Sequence, residues 1–370
     1  MSNLYRYFYL LTAFLAAAAC SKISDNIIWQ ISRGNGEALF ASPAGDTALL
    51  CGGILSGKPY LVLIDSKHDI ISEYSDEKEG KFTSGLVSEH YIIATGESGG
   101  KVLVTSVGKD GFPVWDTTLE FGFNVERVSL CRKSDGNFLA IASKSADSLD
   151  TETYGIAFIS FNGDGEIISF YDTLFYSFYA VSGVTVGSTG NIYLAVTEAA
   201  AGGKTKAVVV SYNENFKYLW EKELYNNPEY GASCLAITVD NEENIYTSGY
   251  AELPDSKGNI RNAFAASLTW SGTIRWKKYL EYNNISTSLI LTHDGRLFVL
   301  NNGCLILNTL NTVDGTITGI IRTFAVCDPS FDRAEGKFVT EVFDNVIVIA
   351  GTKNGSFYIV AKSPDSLSPV

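Results

Sequence analysis

Basic residues never cluster in this 370-residue sequence, where 28 Lys and Arg face 41 Asp and Glu for a formal net charge of −13. Nucleic-acid binding needs grouped cations against a phosphate backbone, so that class of partner is excluded. Histidine is scarce too. His68, His90 and His293 stand in separate polar turns, far apart, with no spacing that pairs any of them with a nucleophile. No two of the six cysteines form a C-x-x-C, which argues against structural zinc and thioredoxin-type chemistry. G-x-S-x-G and phosphate-loop patterns are missing, and Gly163-Asp164-Gly165-Glu166 is too short for a calcium loop. No catalytic residue, metal or cofactor is therefore expected. Past residue 19 there is no apolar run long enough to cross a bilayer as a helix.

What is present begins with an export signal. Arg6 supplies a thin positive region and Tyr7 to Ala19 an apolar run too short to span a membrane, ending in Ala17-Ala18-Ala19-Cys20. Small residues before a cysteine resemble the lipobox of bacterial lipoproteins, although Ala17 stands where that family usually has Leu. The resemblance implies a signal peptide over 1–19, lipidation of Cys20 and a tether over 20–26. Ser21, in place of the Asp that marks inner-membrane retention in many lipoproteins, implies the outer membrane. Plain secretory cleavage after Ala19 fits the small residues equally well. The five other cysteines allow at most two bridges, and Cys51 with Cys327 is one candidate pair, given ring closure.

The main signal is a repeat. A tight polar turn followed by an apolar strand recurs seven times, at Gly45, Glu89, Gly136, Gly190, Glu243, Gly295 and Asp344, roughly 44 to 54 residues apart. The apolar strand often ends in small residues, as in Leu50-Cys51-Gly52-Gly53 and Ala94-Thr95-Gly96. A second hairpin follows in each unit, for example Val208-Val209-Val210, Asn213-Glu214-Asn215, Tyr218-Leu219-Trp220. Four short strands per unit of this length are the mark of a propeller blade. Fourth strands number six, one fewer than the turns. The sixth is expected over 320–325. The missing one is supplied by Ile27-Ile28-Trp29-Gln30-Ile31, which matches Val114-Trp115, Leu219-Trp220 and Arg275-Trp276. The expected fold is all-β: a seven-bladed β-propeller over 27–370, closed by an N-terminal strand that completes the last blade. Closure removes exposed sheet edges. The Trp shared by four units is expected to pack between adjacent blades.

A turn glycine with Trp four residues on, as in Gly111/Trp115 and Gly272/Trp276, resembles the propeller repeats of pyrroloquinoline-quinone-type proteins. That family includes a lipoprotein of the outer-membrane β-barrel assembly machinery, with eight blades rather than seven. Its quinone-dependent dehydrogenases often carry a vicinal cysteine pair, which this sequence lacks.

Binding is expected on the rim that carries the loops after second and fourth strands. Three second-to-third connections read as long loops, over 144–154, 197–206 and 251–262. Neighbouring connections hold Tyr176, Tyr179, Tyr225, Asn226, Tyr230, Tyr282 and Asn283, aromatic faces beside amides that suit a sugar or a peptide. Wedging between blades is the other use for such rings. The function expected is a non-enzymatic, monomeric binding or scaffold propeller at the cell envelope, taking a protein or glycan and touching the membrane only through its lipid anchor. Two alternatives stand beside it. One is an enzyme, a quinoprotein-like oxidoreductase or a lyase or hydrolase, which requires carboxylates, Arg or His converging at the channel mouth. The other is an outer-membrane assembly factor. Fold does not choose among them.

Overall fold

The computed structural model describes residues 27–45, 47–143, 154–175, 179–200, 203–227, 229–255, 258–281, 285–302, 306–322, 334–342, 346–362 and 368–369. The long strand β1 (Ile27–Pro43) is followed by β2 (Ala48–Leu55), β3 (Lys58–Asp65) and β4 (Ile70–Ser75). Blade 2 holds β5 (Lys81–Val87), β6 (Tyr91–Ser98), β7 (Lys101–Gly108) and β8 (Pro113–Leu119). Blade 3 holds β9 (Arg127–Arg132), β10 (Phe138–Ser143), β11 (Tyr154–Phe161) and β12 (Ile167–Phe175). Blade 4 holds β13 (Tyr179–Val186), β14 (Ile192–Ala200), β15 (Lys204–Tyr212) and β16 (Tyr218–Tyr225). Blade 5 holds β17 (Ala232–Val239), β18 (Ile245–Asp255), β19 (Gly258–Leu268) and β20 (Ile274–Glu281). Blade 6 holds β21 (Ile285–Leu291), β22 (Leu297–Asn302), β23 (Ile306–Leu310) and β24 (Ile317–Arg322), and blade 7 holds β25 (Ala334–Val342), β26 (Val346–Lys353) and β27 (Ser356–Lys362). A two-residue β28 (Ser368–Pro369) pairs with β24.

The first half of β1 pairs antiparallel with β27, Trp29 opposite Ala361 and Ile31 opposite Ile359. Its second half pairs with β2, Ala41 opposite Cys51. One strand is thus the outer strand of blade 7 and the inner strand of blade 1, which merges those two blades into one seven-stranded sheet. The chain is a seven-bladed β-propeller.

Its cohesion lies between blades. In β2, Leu49 and Cys51 pack toward blade 7 while Ala48 and Leu50 pack toward blade 2. In β3, Tyr60, Val62 and Ile64 face one way and Leu61 and Leu63 the other. Both faces of a middle strand are buried, so it reads as an unbroken apolar run, whereas the outer β8 alternates with solvent. Among the described residues each of the seven blade junctions has its own apolar cluster. No blade buries its faces alone.

The repeated Trp joins neighbours as the sequence implied. Trp115 Nε1 donates to Gly163 O of the next blade at 3.2 Å, Trp220 Nε1 to Trp270 O at 3.0 Å, and Trp276 Nε1 to Thr312 O at 3.0 Å. Each indole lies over the glycine of that turn. A Cβ on Gly272 would fall 2.9 Å from Trp220, and on Gly315 2.5 Å from Trp276. Both glycines hold positive φ, +83° and +72°, so this position is closed to side chains twice over.

Three sequence readings shift. The sixth fourth strand lies at Ile317–Arg322, a little earlier than expected. The expected loops over 197–206 and 251–262 are largely hairpin: the ladder continues through Glu198↔Lys206 to Ala200↔Lys204, and through Glu252↔Arg261 to Asp255↔Gly258. Pro254 looks like a loop residue, but it pairs with Asn259 and the ladder carries past it. The third expected loop lies mostly outside the described residues. Cys51 is a buried free thiol; Cys327 lies outside the described residues. Burial pushes the Cys131 and Cys234 thiols up to about 12, which keeps them protonated near neutrality.

Candidate site at the channel mouth

The inner strand of every blade runs down the central channel. In six of the seven it carries a β-bulge, a register break at Leu39, Thr83, Ser182, Leu235, Thr287 and Lys337. An extra residue in one strand has no partner opposite and is re-aimed. Five of these six line one cavity of about 330 Å³ at the mouth, together with Glu37, Lys81, Glu126 and Arg127. Arg127 fills the corresponding place in blade 3, whose inner strand pairs without a break.

The second strand makes room for the bulge. A Cβ on Gly53 would lie 2.0 Å from Glu37 O, on Gly96 1.9 Å from Lys81 O, and on Gly249 2.0 Å from Ser233 O. The small residues ending the second strands are therefore the sequence trace of the bulges. Side-chain hydroxyls tie inner strands together: Thr83 Oγ1 donates to Val128 O at 2.6 Å and accepts from Val128 N at 3.0 Å.

The mouth is charged on one side. Going round through blades 7, 1, 2 and 3 come Lys337, Glu37, Lys81, and then Glu126 with Arg127; Leu235 and Thr287 of blades 5 and 6 face them. Lys337 Nζ pairs with Glu37 at 3.2 Å. All nine lining side chains are half-buried. The sequence reading did not find these residues. They are scattered over six blades, their chemical types differ, and only a small residue opposite marks the place in most of them.

Of the expected rim residues, Tyr225, Asn226 and Tyr230 are described with their side chains. Tyr225 ends β16 with its ring 4.7 Å from Phe264 and 5.4 Å from Tyr279 of blade 5, and Lys277 Nζ 3.9 Å from its face. Burial, with Tyr279 alongside, raises the Tyr225 hydroxyl far above the phenol range. Asn226 is exposed and donates to Glu223 at 2.9 Å; Tyr230 is half-buried and bridges to Asn227. The backbone of Tyr179 opens β13 opposite Glu198. Cys20, Tyr176, Tyr282 and Asn283 lie outside the described residues. Beside this rim Lys206 sits among Glu223, Glu198 and Glu221 at 2.6, 3.0 and 3.7 Å. Burial, and then Glu198, raises the Glu221 carboxyl. Among the described residues no three His, Cys, Asp or Glu side chains converge as a metal site.

No protein-family model matches the chain, and no curated protein matches it. Among solved structures it is similar to the WD40 domain of Pan2 from Neurospora crassa, with TM-score 0.62 at 12% identity over 89% of this chain and 90% of that one. It is similar to the polysaccharide lyase Uly1, with TM-score 0.56 at 8% identity over 91% and 99%. It is also similar to YCF48 bound to D1 peptide, with TM-score 0.54 at 8% identity over 91% and 95%. The likeness is one of fold.

Proposed function

We propose that this propeller is an exported, lipid-anchored protein of the outer membrane that binds an envelope ligand at the mouth of its channel without transforming it. The observation that carries the reading is the cavity of about 330 Å³, to which six of the seven blades contribute side chains. It is within the size range of small-ligand sites, and a ring of stacked blades holds its walls rigidly. The topology supports an anchor at residue 20. Residue 27 starts β1 at the rim that carries the first-to-second strand turns, so a tether over 20–26 leaves the ring opposite the mouth. A membrane-held molecule then presents the cavity outward.

The convergence of Glu37, Glu126 and Arg127 supports a second reading, acid–base chemistry on a bound chain. Among the described residues the lining offers no Ser, Cys or His nucleophile, which weighs toward binding. The deciding experiment screens the full chain against envelope proteins, peptides and polysaccharides, in parallel with Leu235→Trp, which plugs the cavity. Binding that the plug abolishes, with the ligand recovered unchanged, upholds the proposal. Binding indifferent to the plug sinks it, and cleaved ligand turns the reading to an enzyme. Co-purification with the β-barrel assembly machinery would favour the assembly-factor alternative. A globomycin-sensitive mass shift at Cys20 tests the anchor.

A further inference from the structure

We propose that the channel mouth selects a monocarboxylate bearing an aliphatic arm, its head held by Lys81. This rests on the channel-mouth reading above and adds the chemistry of the ligand.

Lys81 stands at the start of β5, half-buried in the cavity wall. The neighbouring Lys337 is neutralised by Glu37 at 3.2 Å. Lys81 makes no ion pair among the described residues, although acidic groups outnumber basic ones over the whole chain by 41 to 28. Among the described residues the lining has three cations, Lys81, Arg127 and Lys337, beside two carboxylates, Glu37 and Glu126. An ammonium with no ion-pair partner among the described residues, held in a partly dehydrated concavity, attracts one negative charge, and an ammonium–carboxylate hydrogen bond there is stronger than a neutral one.

The rest of the wall fixes the remainder of the ligand. Leu39 and Leu235 are aliphatic. Thr83 is polar by name only, since its hydroxyl is already committed to the backbone of Val128 as both donor and acceptor. It leaves its methyl group for a ligand. Among the described residues the lining contains no aromatic ring to offer the stacking surface that favours a pyranose. The space equals roughly ten waters at about 30 Å³ each, which suits a residue-sized acid. Two sources share this chemistry: a free organic acid, or the carboxyl-terminal residue of a peptide.

The test uses the full chain and isothermal titration with N-acetyl-leucine and N-acetyl-leucinamide, which differ only in the charged head. The acid is expected to bind at least about tenfold more tightly, about 1.4 kcal/mol. Lys81→Gln is expected to erase that preference and Lys81→Arg, which keeps the cation, to retain it. A hexapeptide ending in leucine then separates the sources. Tighter binding than N-acetyl-leucine identifies a peptide end, and equal binding a free acid. The inference is overturned if neither probe binds, if acid and amide bind alike, or if the preference survives Lys81→Gln. Should the screen above yield a neutral ligand that Leu235→Trp displaces, the carboxylate inference falls and the site stands. Should the plug change no binding at all, both fall.

Discussion

The ring of Phe216 stacks on that of Phe158 in the preceding blade, centroids 5.2 Å apart and planes 29° from parallel. Phe216 holds φ +62° in the turn of blade 4, where blades 2, 3, 5 and 6 place Gly111, Gly165, Gly272 and Gly315. The reason is next door. Ser169 occupies in blade 3 the register that Trp115, Trp220 and Trp276 occupy elsewhere, opposite Ser160 as Trp115 is opposite Ser106. With no indole arriving from blade 3, the turn residue of blade 4 reaches back and fills the gap.

The seat can therefore be filled from either side. Phe216→Gly relieves the left-handed backbone but loses a buried ring, and a net destabilisation of about 2–4 kcal/mol is expected in urea unfolding. Adding Ser169→Trp should recover about half or more of that loss by restoring the indole-over-glycine arrangement. Ser169→Trp with Phe216 retained should instead destabilise by overpacking. A double variant no more stable than Phe216→Gly would refute the exchange.

Two glycines separate backbone strain from packing. Gly295 and Gly315 hold similar φ, +82° and +72°, yet a Cβ on Gly295 meets nothing within 4 Å while one on Gly315 lands 2.5 Å from the Trp276 ring. Gly295→Ala should cost about 1–2 kcal/mol, the penalty of the left-handed region alone. Gly315→Ala should cost about 1–3 kcal/mol more, because the indole must move and its hydrogen bond to Thr312 O lengthens. Thermal and urea unfolding of both variants check the order; equal losses would show that the indole contributes no constraint.

The architecture was legible because its signals are local and repeated. Asp135-Gly136-Asn137 and its counterparts announce each hairpin, Trp marks four of the outer strands, and a first strand carrying that Trp has nowhere to pair except the unfinished last blade. The site was not legible for the opposite reason. Lys81, Arg127 and Lys337 meet only after the ring closes. A bulge also shifts which residue faces the channel, so alternation counted along a strand misassigns it. Tyr225 shows the same limit. A tyrosine beside two asparagines suits a wet rim, but the distance to Phe264 that makes it a wedge lies across a blade junction.

The glycine opposite four of the six bulges links stability to the site. In Gly96→Ala the new Cβ would sit 1.9 Å from Lys81 O and 2.8 Å from Phe82 Cα, both backbone atoms that cannot rotate away. The inner strand must shift, carrying Lys81 with it. A loss of about 2 kcal/mol or more is expected from a strained, overpacked contact, together with weakened binding of any channel-mouth ligand. Gly163→Ala, at a position with nothing within 4 Å, is the control and should leave ligand binding unchanged. Intact binding in a folded Gly96→Ala protein would detach Lys81 from the bulge geometry.

Glu243 couples blade 5 to blade 4 through a carboxylate, and so through pH. It holds φ +59° in its turn and is 6% exposed. Its carboxylate accepts from Thr189 N at 2.6 Å, Tyr193 Oη at 2.9 Å and Ser188 Oγ at 3.1 Å. Burial pushes this carboxyl up, but the hydrogen bonds from Thr189, Tyr193 and Ser188 outweigh it and hold the group below the ordinary carboxylate range. A carboxyl depressed on folding adds stability that is fully present above its unfolded value, about 4.3, and that drains away as pH falls through the lower folded value. Glu243→Gln should therefore be less stable than the wild type by about 1–3 kcal/mol at pH 7. The gap should narrow as the pH falls below the ordinary carboxylate range and the wild-type carboxyl takes up its proton. Urea midpoints of both proteins at pH 7, 5 and 3 measure it. A gap that stays constant across that range would mean that the bond between blades 4 and 5 does not depend on charge.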